Sequence, residues 1–128
     1  MKVFPLSERV DRTGEVALGP DESGTLTTYL IYGKLAPGET GRRLRPGEGR
    51  EEILFVIEGT VRLEGAGRSD ITCHSGWAVA LPEGSDLWLS NLTSRPAQYV
   101  IAGGFTEPAR FLQELQREAR REQLQRES

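Results

Sequence analysis

The sequence has little of the chemistry that disulfides and metal centres need. Its 128 residues include a single cysteine, Cys73, and a single histidine, His74. One cysteine cannot form an internal disulfide, so an oxidising compartment is not indicated. One histidine excludes, within one chain, both a three-histidine metal centre and the two-histidine, one-carboxylate triad of non-haem iron oxygenases.

Long apolar runs are also absent. No stretch approaches the ~20 apolar residues that cross a bilayer, and the N-terminal residues lack the apolar core of a signal peptide. The net charge is −3, whereas binding to nucleic acid favours a basic surface. We therefore expect a cytoplasmic protein with neither a membrane nor a nucleic acid as partner, and with no attached DNA-binding region.

The chain does contain a series of short apolar segments separated by Gly and Pro turns. Its length predicts one domain, residues 1–128, that can bury a sizeable core. The regular spacing of the segments predicts an all-β sandwich or barrel. The predicted strands are residues 26–35, 52–58, 60–64, 77–81, 87–92 and 98–102, and residues 36–50 are interpreted as a Gly/Pro/Arg-rich loop.

The C-terminal segment has the composition of a helix. Pro108 suits a first helical turn, where a missing N–H costs nothing. Apolar residues follow at helical spacing, namely Phe111, Leu112, Leu115 and Ala119. We predict a helix over about residues 107–123 whose first turns pack on the barrel, with a helix that binds a partner or a second copy as the alternative.

Two motifs give the sequence a family resemblance. The stretch GWAVALPEGSDLWLSN, residues 76–91, fits the second motif of the cupin family, Gly-x5-Pro-x-Gly-x2-His-x3-Asn, at every spacing. Glu52 and Gly59 fit the end of the first motif, His-x-His-x3–4-Glu-x6-Gly. The chain therefore resembles a small single-domain cupin over roughly residues 26–103. The resemblance implies a jelly-roll (double-stranded β-helix) barrel, followed by the C-terminal helix.

The histidines of the first cupin motif are missing. Strict spacing from Glu52 places Pro46 and Glu48 at the two histidine positions. An insertion in the loop would instead place Arg43 and Arg45 there, and we prefer this alignment because proline often follows the pair in cupins. Neither alignment supplies a histidine, so we predict no bound metal and no cofactor.

Leu87 stands at the histidine position of the second motif. It alternates in phase with Leu89, so both side chains are expected to face into the barrel. The leucine therefore supplies apolar wall, which suits an organic ligand better than a metal. Trp88 has the opposite phase, and an outward tryptophan suggests sheet packing or an interface. We predict a homodimer.

Glu52 has three interpretations. It forms a structural salt bridge at the barrel mouth with Arg43 or Arg45, since a lone inward carboxylate is costly. Alternatively, it is a general base or a ligand-binding acid in a cavity. The third interpretation is an all-oxygen Mg²⁺ or Ca²⁺ site shared with Glu48, which needs more oxygen ligands than the sequence places.

The loop arginines Arg42, Arg43, Arg45 and Arg50 are either solvated charges or a site for an anionic ligand, because the guanidinium fork matches carboxylate and phosphate. The predicted ligand-binding residues are Arg43, Arg45, Glu48, Glu52 and Leu87, with Glu52 as candidate catalytic residue. His74 is interpreted as a surface or turn residue away from the mouth, and Cys73 as a small, half-buried hydrophobe.

These features predict a cupin without the usual metal centre that binds a small organic ligand, including anionic ones, in the barrel. The alternative is a cupin enzyme of isomerase, cyclase or lyase type. Such an enzyme would be metal-independent, with Glu52 or a tyrosine as acid–base, or would use an atypical carboxylate metal site. Whether the protein is an enzyme stays open at the level of sequence.

Overall fold

Two antiparallel β-sheets make up most of the computed structural model, which describes residues 1–25, 27–44, 46, 49–65, 69–105 and 108–127. Within residues 108–127, it describes the side chains of residues 116, 117 and 119–126. Arg45 and Glu48, two of the predicted site residues, lie outside the described residues.

The described strands, in chain order, are β1 (Glu15–Leu18), β2 (Thr28–Leu35), β3 (Arg42–Leu44), β4 (Arg50–Glu58), β5 (Thr60–Gly65), β6 (Ile71–His74), β7 (Ala78–Leu81), β8 (Leu87–Ser90) and β9 (Ala97–Phe105). One sheet has the order β1-β2-β9-β4-β7, and the other has the order β3-β8-β5-β6. A 3-10 turn (Leu6–Glu8) and two helices, α1 (Pro20–Ser23) and α2 (Pro108–Glu127), complete the described elements. None of the described helices is long and apolar enough to cross a bilayer.

The two sheets share one hydrophobic core. In β4, Leu54 and Val56 are fully buried, whereas Ile53 and Phe55 between them are exposed. This period of two is expected of a strand with one face in the core. Buried side chains from both sheets belong to the same cluster, among them Leu35, Leu54, Ile101, Val61, Leu63 and Leu89. The all-β double-sheet fold predicted from the sequence is confirmed.

Each of the six predicted strands overlaps an observed strand, but three further strands were missed. β1 extends the first sheet before residue 26, so the barrel begins earlier than predicted. β3 lies within the segment interpreted as a loop and pairs with β8, and β6, which pairs with β5, was not among the predicted strands. These strands are three or four residues long, so neighbouring strands rather than local sequence stabilise them.

The surviving residues of the second cupin motif shape the backbone, as the sequence suggests. Gly76 and Gly84 have φ angles of +86° and +77°, which L side chains rarely adopt. Asn91 is fully buried, and its Nδ2 donates hydrogen bonds to the carbonyl oxygens of Arg95 at 2.7 Å and Leu35 at 3.3 Å. The asparagine therefore satisfies backbone groups where β2 and β8 end.

A partly buried polar network ties the two sheets together. The Tyr99 ring lies over Gly33, and its hydroxyl donates to the Glu15 carboxylate on β1. The same hydroxyl accepts a 3.1 Å hydrogen bond from Arg42 of β3, whose guanidinium also contacts Glu39 at 2.5 Å. Burial and the Glu15 charge raise the pKa of Tyr99, so it stays a neutral phenol. This network joins β1 and β9 to β3 of the other sheet.

The close approach of Tyr99 to Gly33 predicts that Gly33→Ala destabilises the fold. An added Cβ would overlap the Tyr99 ring, which is held between Glu15 and Arg42 and has no room to move. We expect a loss of about 1–3 kcal/mol in the free energy of unfolding, measured by denaturant titration. Gly104→Ala on β9 is the control, since its nearest neighbour would be 3.5 Å away. Equal stability of the two variants would contradict this account.

Candidate functional site

The strand register brings four residues together in one inward row at the barrel mouth. Gly103 of β9 pairs with Tyr29 of β2 on one side and with Glu52 of β4 on the other, and Glu52 pairs with Leu81 of β7. An added Cβ at Gly103 would overlap the Tyr29 ring. The glycine therefore lets the tyrosine lie across the sheet, towards Glu52. We call Tyr29, Gly103, Glu52 and Leu81 the mouth row.

Glu52 is the buried acid of this row. Its side chain is 5% exposed, and its Oε2 has no hydrogen-bond partner among the described residues. The hydroxyl of Tyr29 is likewise buried and without a hydrogen bond there. An unmade hydrogen bond of a buried polar group costs about 1–3 kcal/mol, more when the group is charged. The two groups also lie close enough for each to shift the pKa of the other, so they form a pair that a ligand at this row would contact together.

The electrostatic surroundings raise the pKa of both Glu52 and Tyr29. Burial raises the pKa of Glu52, and the charge of Glu15 adds to this, while the Tyr29 hydroxyl and the charge of Arg50 oppose it. Burial and the nearby Glu52 charge raise the pKa of Tyr29 to about 12. The row thus contains a carboxyl group that can donate or accept a proton and a phenol that remains a donor.

Arg50 and Phe105 pack against the Tyr29 ring of the mouth row. Arg50 lies two residues before Glu52 on the same face of β4 and pairs with Phe105. Its Cζ is 5.6 Å from the Tyr29 ring centroid and 5.2 Å from that of Phe105, and the rings meet edge to face at 6.0 Å. The exposed guanidinium forms no ion pair with a described residue, so it can bind an anion.

The opposite wall of the mouth is apolar. Leu87 pairs with Leu44 of β3 and with Gly65 of β5, and an added Cβ at Gly65 would overlap the leucine. Leu87 and Leu89 are both buried, so the predicted inward phase is confirmed. A cavity of about 50 Å³ lies beside Leu81 and Leu87. Its size suits a ligand of only a few non-hydrogen atoms.

Arg43 does not belong to this site, which corrects the sequence prediction. The next side chain along β3, Leu44, is buried in the core. The side chain of Arg43 therefore lies on the other face of the strand and points outwards. Its guanidinium binds both carboxylate oxygens of Asp86, at 3.1 and 3.0 Å, and lies 5.8 Å from the Trp88 ring centroid. The expected salt bridge from Arg43 to Glu52 is therefore wrong, and the structure does not bring Arg43 together with the other predicted ligand-binding residues Glu52 and Leu87. Trp88 faces away from the core, as predicted.

The described mouth does not fit the metal centre of the cupins. Leu87 is buried at the histidine position of the second motif, and Pro46, at one of the two positions that strict spacing gives to the first motif, is buried as well. Among the described residues of the mouth, Glu52 is the one metal-binding side chain. No three His, Cys, Asp or Glu side chains of the described residues come together. The suggested carboxylate site with Glu48 falls outside the described residues.

His74 and Cys73 lie far from the mouth. His74 pairs with Thr60, at the end of β5 opposite to the Gly65–Leu87 pair. Its Nδ1 is 3.3 Å from the hydroxyl of Thr60, and its exposed ring meets Trp77 edge to face at 4.8 Å. The predicted surface location is confirmed. Cys73 is more deeply buried than predicted, and burial raises the pKa of its thiol.

Two residues of the site, Tyr29 and Phe105, were not selected from the sequence. Arg50 was named only as one of four loop arginines, although its position two residues before Glu52 on a strand indicates that both side chains lie on the same face. Tyr29 and Phe105 are distant from Glu52 in sequence. Only the pairing of β2, β9 and β4 brings them to it.

The raised pKa of Glu52 predicts a specific effect of pH on stability. The folded protein holds this proton more tightly than the unfolded chain, whose carboxyl titrates near its ordinary value of 4.5. The free energy of unfolding should therefore fall as pH rises from that value through the raised pKa. Glu52→Gln has no carboxyl group at this position and so lacks this pH-dependent contribution to the free energy of unfolding. In thermal melts, the stability of the variant relative to that of the wild type should therefore increase with pH. Glu51→Gln, on the exposed face of β4, should follow the wild type, and parallel curves for all three proteins would contradict the prediction.

No family model and no curated protein matches the sequence. Solved structures do match. The chain is similar to a Cupin 2 conserved barrel domain protein from Salinispora arenicola, with a TM-score of 0.70 and 23% identity over 89% of this chain and 98% of that one. It is also similar to the Cupin_2 domain of an XRE family transcriptional regulator from Enterobacter cloacae, with a TM-score of 0.60 and 23% identity over 72% and 97% of the two chains.

A third similar structure is a predicted oxalate decarboxylase from Thermotoga maritima, with a TM-score of 0.58 and 17% identity over 69% of this chain and 75% of that one. At these identities the similarity establishes the fold. It agrees with the two motifs of the sequence and with the two facing sheets. The chain therefore has the cupin fold.

Proposed function

We propose that the protein binds a small organic acid at the barrel mouth without the usual cupin metal centre. One observation supports this most directly: Glu52 Oε2 and Tyr29 Oη are buried without hydrogen-bond partners among the described residues, beneath the unpaired guanidinium of Arg50. A carboxylic acid group offers both donors and acceptors to such a site.

The surroundings favour an acid over a neutral polar ligand. Arg50 supplies a cation at the rim that can form a charge-assisted hydrogen bond with a carboxylate. An ionised Glu52 would repel the same carboxylate, but burial raises its pKa and so favours the protonated, neutral form. Leu81 and Leu87 provide an apolar contact for the short carbon skeleton. The similar predicted oxalate decarboxylase bears the name of a small carboxylic acid, which is consistent with this ligand class.

A small acid as ligand indicates which biological roles the protein could fill. Binding one small acid suits a sensor or carrier domain as well as an accessory subunit beside an enzyme. We infer a cytoplasmic location, which the unpaired, buried Cys73 supports because it needs no oxidising compartment.

Loss of Arg50 should weaken carboxylate binding. Acetate, glycolate and oxalate are suitable probes, titrated by calorimetry or protein NMR. Hydrogen bonds to charged groups contribute about 1.5–3 kcal/mol, so Arg50→Gln should raise Kd by about 10- to 150-fold. Arg43→Gln is the matched control, because that arginine faces outwards and binds Asp86. Binding that is unchanged in Arg50→Gln, or equally weakened in Arg43→Gln, would refute the proposal.

Binding of a carboxylate should also depend on the proton of Glu52. Because the neutral form of Glu52 accepts the anion, the affinity should rise as pH falls from neutral towards the ordinary carboxyl range. Glu52→Gln mimics the protonated acid, so its affinity should lose most of this dependence. An affinity that falls at lower pH, in parallel in both proteins, would argue against a proton on Glu52.

The pairing of Glu52 with Tyr29 favours a second candidate function, acid–base catalysis of the isomerase or lyase type. A carboxyl group with a raised pKa beside a neutral phenol can remove one proton and donate another. Exchange of the C3 hydrogens of 2-oxo acids, which are adjacent to the keto group, in D₂O, followed by NMR, tests this function. If Glu52 is the catalytic base, the rate of this exchange should be about 10²- to 10⁴-fold lower in Glu52→Gln than in the wild type. Equal exchange in both proteins excludes Glu52 as the base.

A further inference from the structure

The small cavity beside the mouth row lies between the two sheets. Its volume is about 50 Å³. Inward-facing residues of β5, β6, β7 and β8 line it, namely Leu63, Gly65, Ile71, Val79, Leu81 and Leu87. Among the described residues of the lining, Ser69 is the one polar residue. We call this space the β5–β8 cavity.

Gly65 explains why space remains between the sheets at this point. The inward residues of β5 are Val61, Leu63 and Gly65, so the strand ends without a side chain that could fill the space. Leu87 pairs with Gly65 and packs over it, because an added Cβ would lie only 2.5 Å from Leu87 Cδ2. Val79 of β7 lines the same space from the other sheet.

Leu81 connects the cavity to the acid of the mouth row. Its side chain lines the β5–β8 cavity, and its backbone pairs with that of Glu52. Directly paired residues of antiparallel strands have Cβ atoms about 4.5–5.5 Å apart. A ligand whose polar end meets Glu52 would therefore extend its carbon chain past Leu81 and into the cavity.

We propose that the β5–β8 cavity takes the hydrocarbon tail of the bound acid, so that the protein selects aliphatic monocarboxylic acids of about four carbons. This inference rests on the proposed function, in which Glu52 and Arg50 bind the carboxyl group. One water occupies ~30 Å³ in the liquid, so the cavity has room for about two methyl or methylene groups. The carboxyl carbon and one carbon beside Leu81 complete a four-carbon acid such as butanoate.

The lining of the cavity disfavours a second charged group on the ligand. An apolar cavity binds hydrocarbon groups rather than water. An ionised group placed there would lose its hydration, and no described residue of the lining carries a compensating charge. Dicarboxylic acids such as oxalate and succinate are therefore expected to bind more weakly than butanoate.

Val79 is the residue that we expect to set the length of the tail. It is partly buried, packs against the core and lies two residues before Leu81 on β7. Val79→Ile adds one methyl group at the cavity, and Val79→Ala removes two. Val100→Ile on β9 is the matched control, because Val100 lies between the buried Tyr99 and Ile101 and so faces outwards.

Calorimetric titration of the full chain with acetate, propanoate, butanoate, hexanoate and succinate, all at one pH, tests the proposal. Burial of each methylene group contributes about 0.8 kcal/mol, so Kd should fall about fourfold with each carbon from acetate to butanoate. Hexanoate should bind no more tightly than butanoate. Succinate should bind at least about tenfold more weakly than butanoate.

The variants test the cavity separately from the carboxylate site. In Val79→Ile, the Kd of butanoate should rise about fourfold or more while that of acetate stays unchanged, and Val100→Ile should behave as the wild type. Val79→Ala should shift the tightest binding to acids longer than butanoate. It decides the matter if circular dichroism shows that Val79→Ile does not fold.

The outcomes distinguish this inference from the proposed function on which it rests. Acid binding that needs Arg50 but has the same Kd along the series would overturn the role of the cavity and leave the carboxylate site standing. The same would follow if the ratio of butanoate to acetate affinity were equal in the wild type, Val79→Ile and Val79→Ala. Absence of binding by every acid would overturn both.

Discussion

The packing of two sheets around one core is the constraint on which the rest of the structure depends. Successive side chains of a strand point to opposite faces of the sheet. Every second side chain of each strand therefore points into the core, and those between them point outwards. Arg43 and Leu44 differ by one position, yet one contacts Asp86 on the surface and the other packs against Leu87. Glu52 shares the inward phase of the core and is therefore carried into the barrel.

Among the described residues, the mouth combines an apolar wall with one buried acid, Glu52. Leu87 stands where the second cupin motif has its histidine, and it places apolar surface there instead. Burial raises the pKa of Glu52, while the hydroxyl of Tyr29 and the charge of Arg50 oppose this rise. A site of this kind is costly for the empty protein, and the same cost becomes binding energy when a ligand makes the missing hydrogen bonds.

The two faces of β4 carry different chemistry. Glu52 faces the mouth, while Ile53 faces outwards, beside Ala80 of β7 and Ala102 of β9. A second polar group of side chains, Tyr99, Glu15 and Arg42, joins the two sheets by hydrogen bonds. Its acid, Glu15, also raises the pKa of Glu52.

The sequence by itself determined the fold class, six of the strands, the absence of a histidine centre and the inward phase of Leu87, since each follows from local periodicity, spacing or residue counts. Only the tertiary structure decided the partners of Glu52. Arg43 was expected to reach it, but a three-residue strand that pairs with β8 turns that side chain outwards. Tyr29 and Phe105 reach the site through pairing across β9, from positions 23 residues before and 53 residues after Glu52. Such contacts depend on register between distant strands, which local sequence does not encode.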